Sequence, residues 1–275
     1  MGIISFILIL ANIIVSYRGF KDSIFYDKYK FRVDAVLLYK DYKRMVTSGF
    51  LHVNWMHLIF NMMALYFFSG SLELYLGPVK FLIIYFLSLI GGDLLSLFIH
   101  RNDGDYDSVG ASAGVTGVIF AAIALFPDMH ISLLFIPVFI PGWLFGLVYV
   151  LYSIYGIRSR KNNIGHDAHL GGALIGLIVA ILMQPSALII NTWPIVIIML
   201  PSVFFIYMII TRPHILLIDN YFFNKHSDVV TVDHKYNIER INKQKEIDKI
   251  LEKIHKKGMN SLTNKEKQTL EDYTR

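Results

Sequence analysis

The chain contains no cysteine. Disulfides, a thiol nucleophile and cysteine-ligated zinc or iron–sulfur centres are therefore excluded, while the redox compartment stays open. Charge is scarce too. Only 17% of the 275 residues are Asp, Glu, Lys or Arg, against about 25% in soluble domains. The net charge of +5 is small, and the basic residues are not interleaved with aromatics, so no nucleic-acid partner is expected. The start lacks basic residues. The first apolar run, Ile3 to Val15, follows only Met1 and Gly2 and precedes no small-x-small cleavage site. It reads as a retained span rather than a signal peptide.

What the chain has in excess is apolar sequence, 55% of it, gathered in runs able to cross a hydrocarbon core of about 30 Å. After the first run they cover Trp55 to Leu76, Phe81 to Ile99, Ala111 to Phe126, Ile131 to Ile154, His166 to Met183 and Ala187 to Ile210. The last is interrupted by Pro194 and Pro201. A long mixed loop over 18–54 carries eight Lys or Arg, and an acidic loop carries Asp103, Asp105 and Asp107. The expected class is an all-α, multi-pass membrane protein residing in a bilayer, expected to be the plasma membrane. Its expected units are a six-span core over 1–185, an additional span in 186–212 and a soluble charged tail over 213–275. In that tail Ile238, Ile241, Ile247, Ile250, Leu251 and Ile254 recur at helical spacing. Gly258 suits a C-cap, and Thr263 with Glu266 forms a capping-box pattern.

Polar residues within spans are costly, and they are usually functional or internally paired. Gly110-Ala111-Ser112 opens the fourth run, and positions 110, 114, 117, 121 and 124 fall on one helical stripe of Gly or Ala. Such a stripe admits a neighbouring helix closely. The bland alternative is that Ser112 is a small filler. Against it, the helix up to Pro127 is only about 22 Å long, which sets Ser112 in a first turn below the surface. The free N–H groups there suit a developing oxyanion. His169, Gly172, Gly176 and Ala180 share a face on the sixth run. Packing the two small faces together would bring a serine hydroxyl to an imidazole, as an activated serine requires; otherwise His169 is a packing histidine. Asp167, two positions away, does not share its face, so a dyad fits better than a triad. His57 and Asn61, four apart, share a face and both donate hydrogen bonds, either to an oxyanion or to a neighbouring backbone.

The ordered set His57-x-x-x-Asn61, Gly110-x-Ser112 and Ala168-His169-x-x-Gly172-x-x-x-Gly176 resembles the rhomboid family of intramembrane serine proteases over roughly residues 41–183. Arg44 resembles the arginine of the family's Trp-Arg motif, with Lys43 in place of the tryptophan. The resemblance implies a six-helix bundle in which Ser112 is the nucleophile and His169 the general base. His57, Asn61 and the Ser112 amide would hold the oxyanion. Gly110, Gly114, Gly117, Gly172 and Gly176 would serve helix packing. It implies transmembrane proteins as substrates, no cofactor and no metal. Thr116 stands where the family often has an aromatic residue beside the catalytic histidine. Three other readings remain in view. One is an inactive rhomboid-like factor that binds membrane proteins. Another is a metal-dependent membrane enzyme using His52, His57, His166 and His169, although no His-Glu-x-x-His motif is present. The third is a transporter, for which convincing repeats are missing.

Seven complete spans would put loop 18–54 and the tail on one side. Together with the loops carrying Arg101 and Arg158, these segments hold 25 of the 26 Lys and Arg residues, leaving only Lys80 opposite. The positive-inside rule assigns that side to the cytoplasm, whereas the family resemblance implies a site opening away from it. The cysteine-free background makes the test clean. Lys28→Cys and Lys243→Cys are expected to label alike with a membrane-impermeant maleimide in intact cells. Opposite labelling would sink the seven-span arrangement.

Overall fold

Backbone polar groups have no water to bond in hydrocarbon, so each apolar run must satisfy them internally as a helix. A computed structural model describes residues 1–126, 128–132, 139–159 and 164–212. In the tail it describes 250, 253–254, 262–263 and 266–267. Among the described residues seven long helices result: α1 (Ile3–Lys21), α2 (Trp55–Leu76), α3 (Pro78–Ile99), α4 (Ser112–Leu125), α5 (Gly142–Ser159), α6 (His166–Met183) and α7 (Thr192–Thr211). Local chemistry sets their ends. Asn54 caps α2, its side chain accepting from the His57 amide at 2.9 Å. Gly77, at φ 82°, turns the chain in one residue, and Pro78 starts α3.

By length and composition α1, α2, α3, α6 and α7 can each cross a membrane. Their outward residues suit lipid; Trp193, Leu200 and Phe204 of α7 are among the most exposed apolar side chains. By contrast α4 has 14 residues, and every one from Ala113 to Ala124 is buried. An all-round apolar helix of about 21 Å can be this short because its neighbours, not lipid, surround it. Its last carbonyls are capped from outside: Asn191 Nδ2 donates to Ile123 at 2.7 Å and Ala124 at 3.1 Å. The expected fifth run from Ile131 starts later as helix. Two short strands, β3 (His130–Ser132) and β4 (Phe139–Pro141), pair antiparallel before α5. Pro141 holds the preceding residue in extended conformation, which delays the helix to Gly142.

The core is a glycine-lined junction of α3, α4 and α6. A Cβ on Gly172 would run into the Ala113 carbonyl, and one on Gly176 into the Gly117 carbonyl. One on Gly171 would sit 2.9 Å from the Gly91 carbonyl on the α3 side, and one on Gly92 2.6 Å from Ala113 Cβ. Gly114 faces Tyr85 of α3 rather than α6.

Loop 22–54 is itself folded, with short helices at Ser23–Tyr29, Val33–Leu37 and Arg44–Thr47. Its strand β1 (Phe31–Arg32) pairs with β2 (Asp107–Ser108), just before Ser112. Arg44 pins the loop by donating to the Asp27 and Lys30 carbonyls at 2.9 and 2.8 Å and to Asp41 at 3.0 Å. Lys43 is exposed and lies 3.5 Å from Asp41. The loop closes on the bundle through fully buried His52. Its Nδ1 lies 2.9 Å from Ser16 Oγ of α1, and its Nε2 accepts the Ala111 amide at 3.4 Å. Ser16 in turn donates to the Phe50 carbonyl. The pattern requires neutral imidazole with its proton on Nδ1.

The chain divides into Met1–Phe223 and Asn224–Arg275. Within the second unit the Thr263 amide donates to Glu266 at 2.7 Å and the Glu266 amide to Thr263 Oγ1 at 3.3 Å, a reciprocal capping box. Lys253 holds the Glu266 carboxyl down to about 2. Ile238 to Ile247, Leu251 and Gly258 of the expected tail pattern lie outside the described residues.

Gly172→Val should still insert into membranes but unfold more easily in detergent, since overpacking costs about 1–3 kcal/mol. An unchanged thermal midpoint would mean that α4 and α6 do not need this contact. His52 gives a pH test. Burial foremost, and the His57 imidazole next, push its pKa down from 6.5 to about 3. The unfolded chain thus binds the proton more readily. The stability that neutral His52 contributes is complete above about pH 6.5 and is lost progressively as the pH drops toward 3. The thermal midpoint should decline on acidification across that window, and less steeply in His52→Gln. Equal slopes would refute the assignment.

Candidate active site

Ser112 occupies the first position of α4, and the approach to it is tightly specified. Gly110 has φ 138°, which other residues rarely adopt. Its amide donates to the Ser48 carbonyl at 3.1 Å, while the Ala111 amide is taken by His52. Space is as restrictive as conformation. A Cβ at Gly110 would lie 2.7 Å from His57 Cε1, 3.0 Å from His57 Nε2 and 3.5 Å from Ser112 Oγ. The imidazole edge of His57 and the Ser112 hydroxyl therefore flank one small space beside Gly110, and both side chains are half-buried.

His57 lies in the first turn of α2, edge-on to His52 with ring centroids 4.9 Å apart. Asn61, one turn on and buried, donates from Nδ2 to the His57 carbonyl at 2.9 Å. That amide nitrogen carries two protons, so this bond leaves a second donor. The first turn of α4 adds backbone N–H groups with no partner inside the helix.

His169 stands one turn below Gly172 on α6. Because Gly172 abuts Ala113, the chain neighbour of Ser112, Ser112 and His169 belong to the same tight helix crossing. The His169 ring is half-buried. It lies 6.1 Å from the Tyr149 ring of α5 at 30°, and 6.3 Å from that of His166. Asp167 points elsewhere. It meets His100 Nε2 at 3.0 Å, and His100 stacks flat on Tyr106 at 3.6 Å. This pair ties the loop leading to Ser112 to the start of α6. His166 packs edge-on to Tyr152 at 5.0 Å. Of the four histidines weighed as metal ligands, His52 commits both ring nitrogens to Ser16 and Ala111. Among the described residues no three candidate ligands converge.

The roles of two residues of this neighbourhood escape sequence reading. His52 has no partner at helical spacing that would mark it as the bridge to Ala111. Tyr149 sits in an apolar helix with nothing nearby in sequence to link it to His169. Thr116, one turn after Ser112, is buried and its hydroxyl lies 3.1 Å from that of Tyr149.

Comparison with known proteins bears on this arrangement. Residues 39–186 match the Rhomboid domain, and residues 230–275 match a family of unknown function, DUF6576. The chain is 33% identical over 158 residues to Rhomboid protein 1, mitochondrial, of Saccharomyces cerevisiae, covering 54% of this chain and 45% of the relative. It is 29% identical over 189 residues to RHOMBOID-like protein 12, mitochondrial, of Arabidopsis thaliana (62% and 55%). To the mouse Presenilin-associated rhomboid-like protein, mitochondrial, it is 30% identical over 139 residues (48% and 36%). The chain thus spans about half the length, or less, of these curated relatives. Since more than half of its own length falls within the domain match, this multi-pass membrane protein belongs to the rhomboid family.

Proposed function

We propose that the chain is an intramembrane serine endopeptidase that cleaves transmembrane proteins, with Ser112 as nucleophile and His169 as general base. The observation that carries this reading is the shared space beside Gly110, flanked by the Ser112 hydroxyl and the His57 imidazole, at the helix crossing that also bears His169. In the proposed reaction His169 takes the proton from Ser112 Oγ as the oxygen attacks the scissile carbonyl. The carbonyl oxygen becomes an oxyanion, held by His57, Asn61 and the Ser112 amide. Collapse breaks the C–N bond, and His169 returns the proton to the leaving amine. Water, deprotonated by the same imidazole, then releases the acyl group from Ser112. The reading needs neither metal nor cofactor.

Rhomboid-like enzymes are expected to cut near the end of a substrate span, at small residues in a locally unstable helix. Two alternatives are weaker. An inactive, membrane-protein-binding relative would not need both Ser112 and His169. A metal enzyme would leave the Gly110-x-Ser112 arrangement unexplained. The relatives' names place those proteins in mitochondria, so they lend no support to the plasma-membrane expectation.

The test is cleavage of a panel of single-span proteins with labelling by a fluorophosphonate. Ser112→Ala and His169→Ala should abolish both, with the protein still folded. His57→Ala and Asn61→Ala should lose activity in the range of about 100- to 1,000-fold typical of one oxyanion donor. Chelators should have no effect. Full activity in Ser112→Ala would end the serine mechanism, and zinc-restored inhibition by chelators would revive the metal reading.

A further inference from the structure

A general base must be oriented as well as present. His169 stands on the first turn of α6, and the carboxylate nearest in sequence, Asp167, is turned to His100 at 3.0 Å. Two rings flank His169: His166 of its own helix meets it edge-on at 6.3 Å, and Tyr149 of α5 lies 6.1 Å away, tilted by only 30°. That separation is within the roughly 4.5–7 Å at which flat rings pack favourably. Tyr149 is itself held from two helices. Its hydroxyl lies 3.1 Å from Thr116 Oγ1 on α4, its ring meets Phe120 of α4 at 5.7 Å, and Phe145 flanks it at 5.9 Å. Thr116 is buried and lies one turn after Ser112, on the same side of α4.

We infer that Tyr149 is a positioning residue for His169, and that Thr116 positions Tyr149. The inference rests on the serine–histidine reading above. The contacts form a short relay from the helix that carries the hydroxyl to the ring that activates it: Ser112, one turn to Thr116, hydroxyl to hydroxyl with Tyr149, ring to ring with His169. The tyrosine ring limits how far the imidazole can swing. The hydroxyl pair stops the tyrosine ring from drifting with α5, whose start is joined to α4 by the β3–β4 segment rather than a tight turn. The aromatic side chain and the hydroxyl thus have separable jobs.

The experiment uses the full-length protein in detergent, with kcat and KM for a single-span substrate and the rate of fluorophosphonate labelling of Ser112. Tyr149→Leu should lower kcat and labelling about tenfold or more while KM holds, as a misplaced catalytic group does. Tyr149→Phe, which keeps the ring, should restore most of that loss. Thr116→Val should match Tyr149→Phe, and the double variant should be no worse than either, because both remove the same bond. The Phe and Val variants change little in volume, so they report even if Tyr149→Leu fails to fold. Wild-type kcat in a folded Tyr149→Leu, a Tyr149→Phe as impaired as Leu, or additive losses in the double variant would each overturn the inference. Wild-type protein that is not labelled at Ser112 would instead end the serine reading, and this inference with it.

Discussion

Two helices in lipid gain nothing by hiding apolar side chains from each other, because the tails around them are equally apolar. What holds α4 to α6 is therefore close approach, and Gly172 against Ala113 with Gly176 against Gly117 makes it possible. Everything else in the core follows from this crossing. It lets α4 be enclosed on all sides, which permits a helix too short to span. It also leaves the first turns of both helices at the same depth and the same end of the bundle, where Ser112 and His169 stand. The glycines on the other side of α6 bring in α3 in the same manner, so the three helices share one backbone-to-backbone core with little side-chain volume to rearrange.

The second organising element is the folded loop between α1 and α2. It reaches the approach to Ser112 at three points: the β1–β2 pairing, the Ser48 carbonyl with Gly110, and His52 with Ala111. Arg44 makes the loop stiff enough for those contacts to matter by bonding two of its carbonyls. A glycine at φ 138° is otherwise a free hinge. Here the residues on either side of Ser112's approach are bonded to structure, so the hinge has only one position.

Much of this was legible in the sequence because it is local. The break between the second and third apolar runs falls at Gly77-Pro78, and the Gly spacing on α4 and α6 marks packing faces, signals that act within a few residues. The family motifs are readable for the same reason, each lying within nine residues on one element. What was not legible depends on neighbours distant in the chain. The continuous apolar run after Ile131 gives no sign that strands precede α5, beyond Pro141 itself. Periodicity says which face of α5 is apolar but not that Tyr149 on it meets His169. Nor does anything short-range announce that Asp167 belongs to His100, 67 positions earlier. The small stripe on α4 was only partly informative. It marked a packing face, yet Gly114 on it serves α3 while Gly172 and Gly176 are received by Ala113 and Gly117.

Asn191 closes the last open carbonyls of α4 from the far side of α6, and this orders events during synthesis. Helix α4 leaves the ribosome with about 21 Å of apolar length, less than a bilayer requires. Its final turn has no partner until some 66 further residues have been made. The contacts of α4 with α3, through Gly114 and Tyr85, join neighbours in the chain, whereas the side chain that bonds its last turn comes from beyond α6. A chain cut before Asn191 keeps the helix that carries Ser112 but leaves the Ile123 and Ala124 carbonyls without that donor.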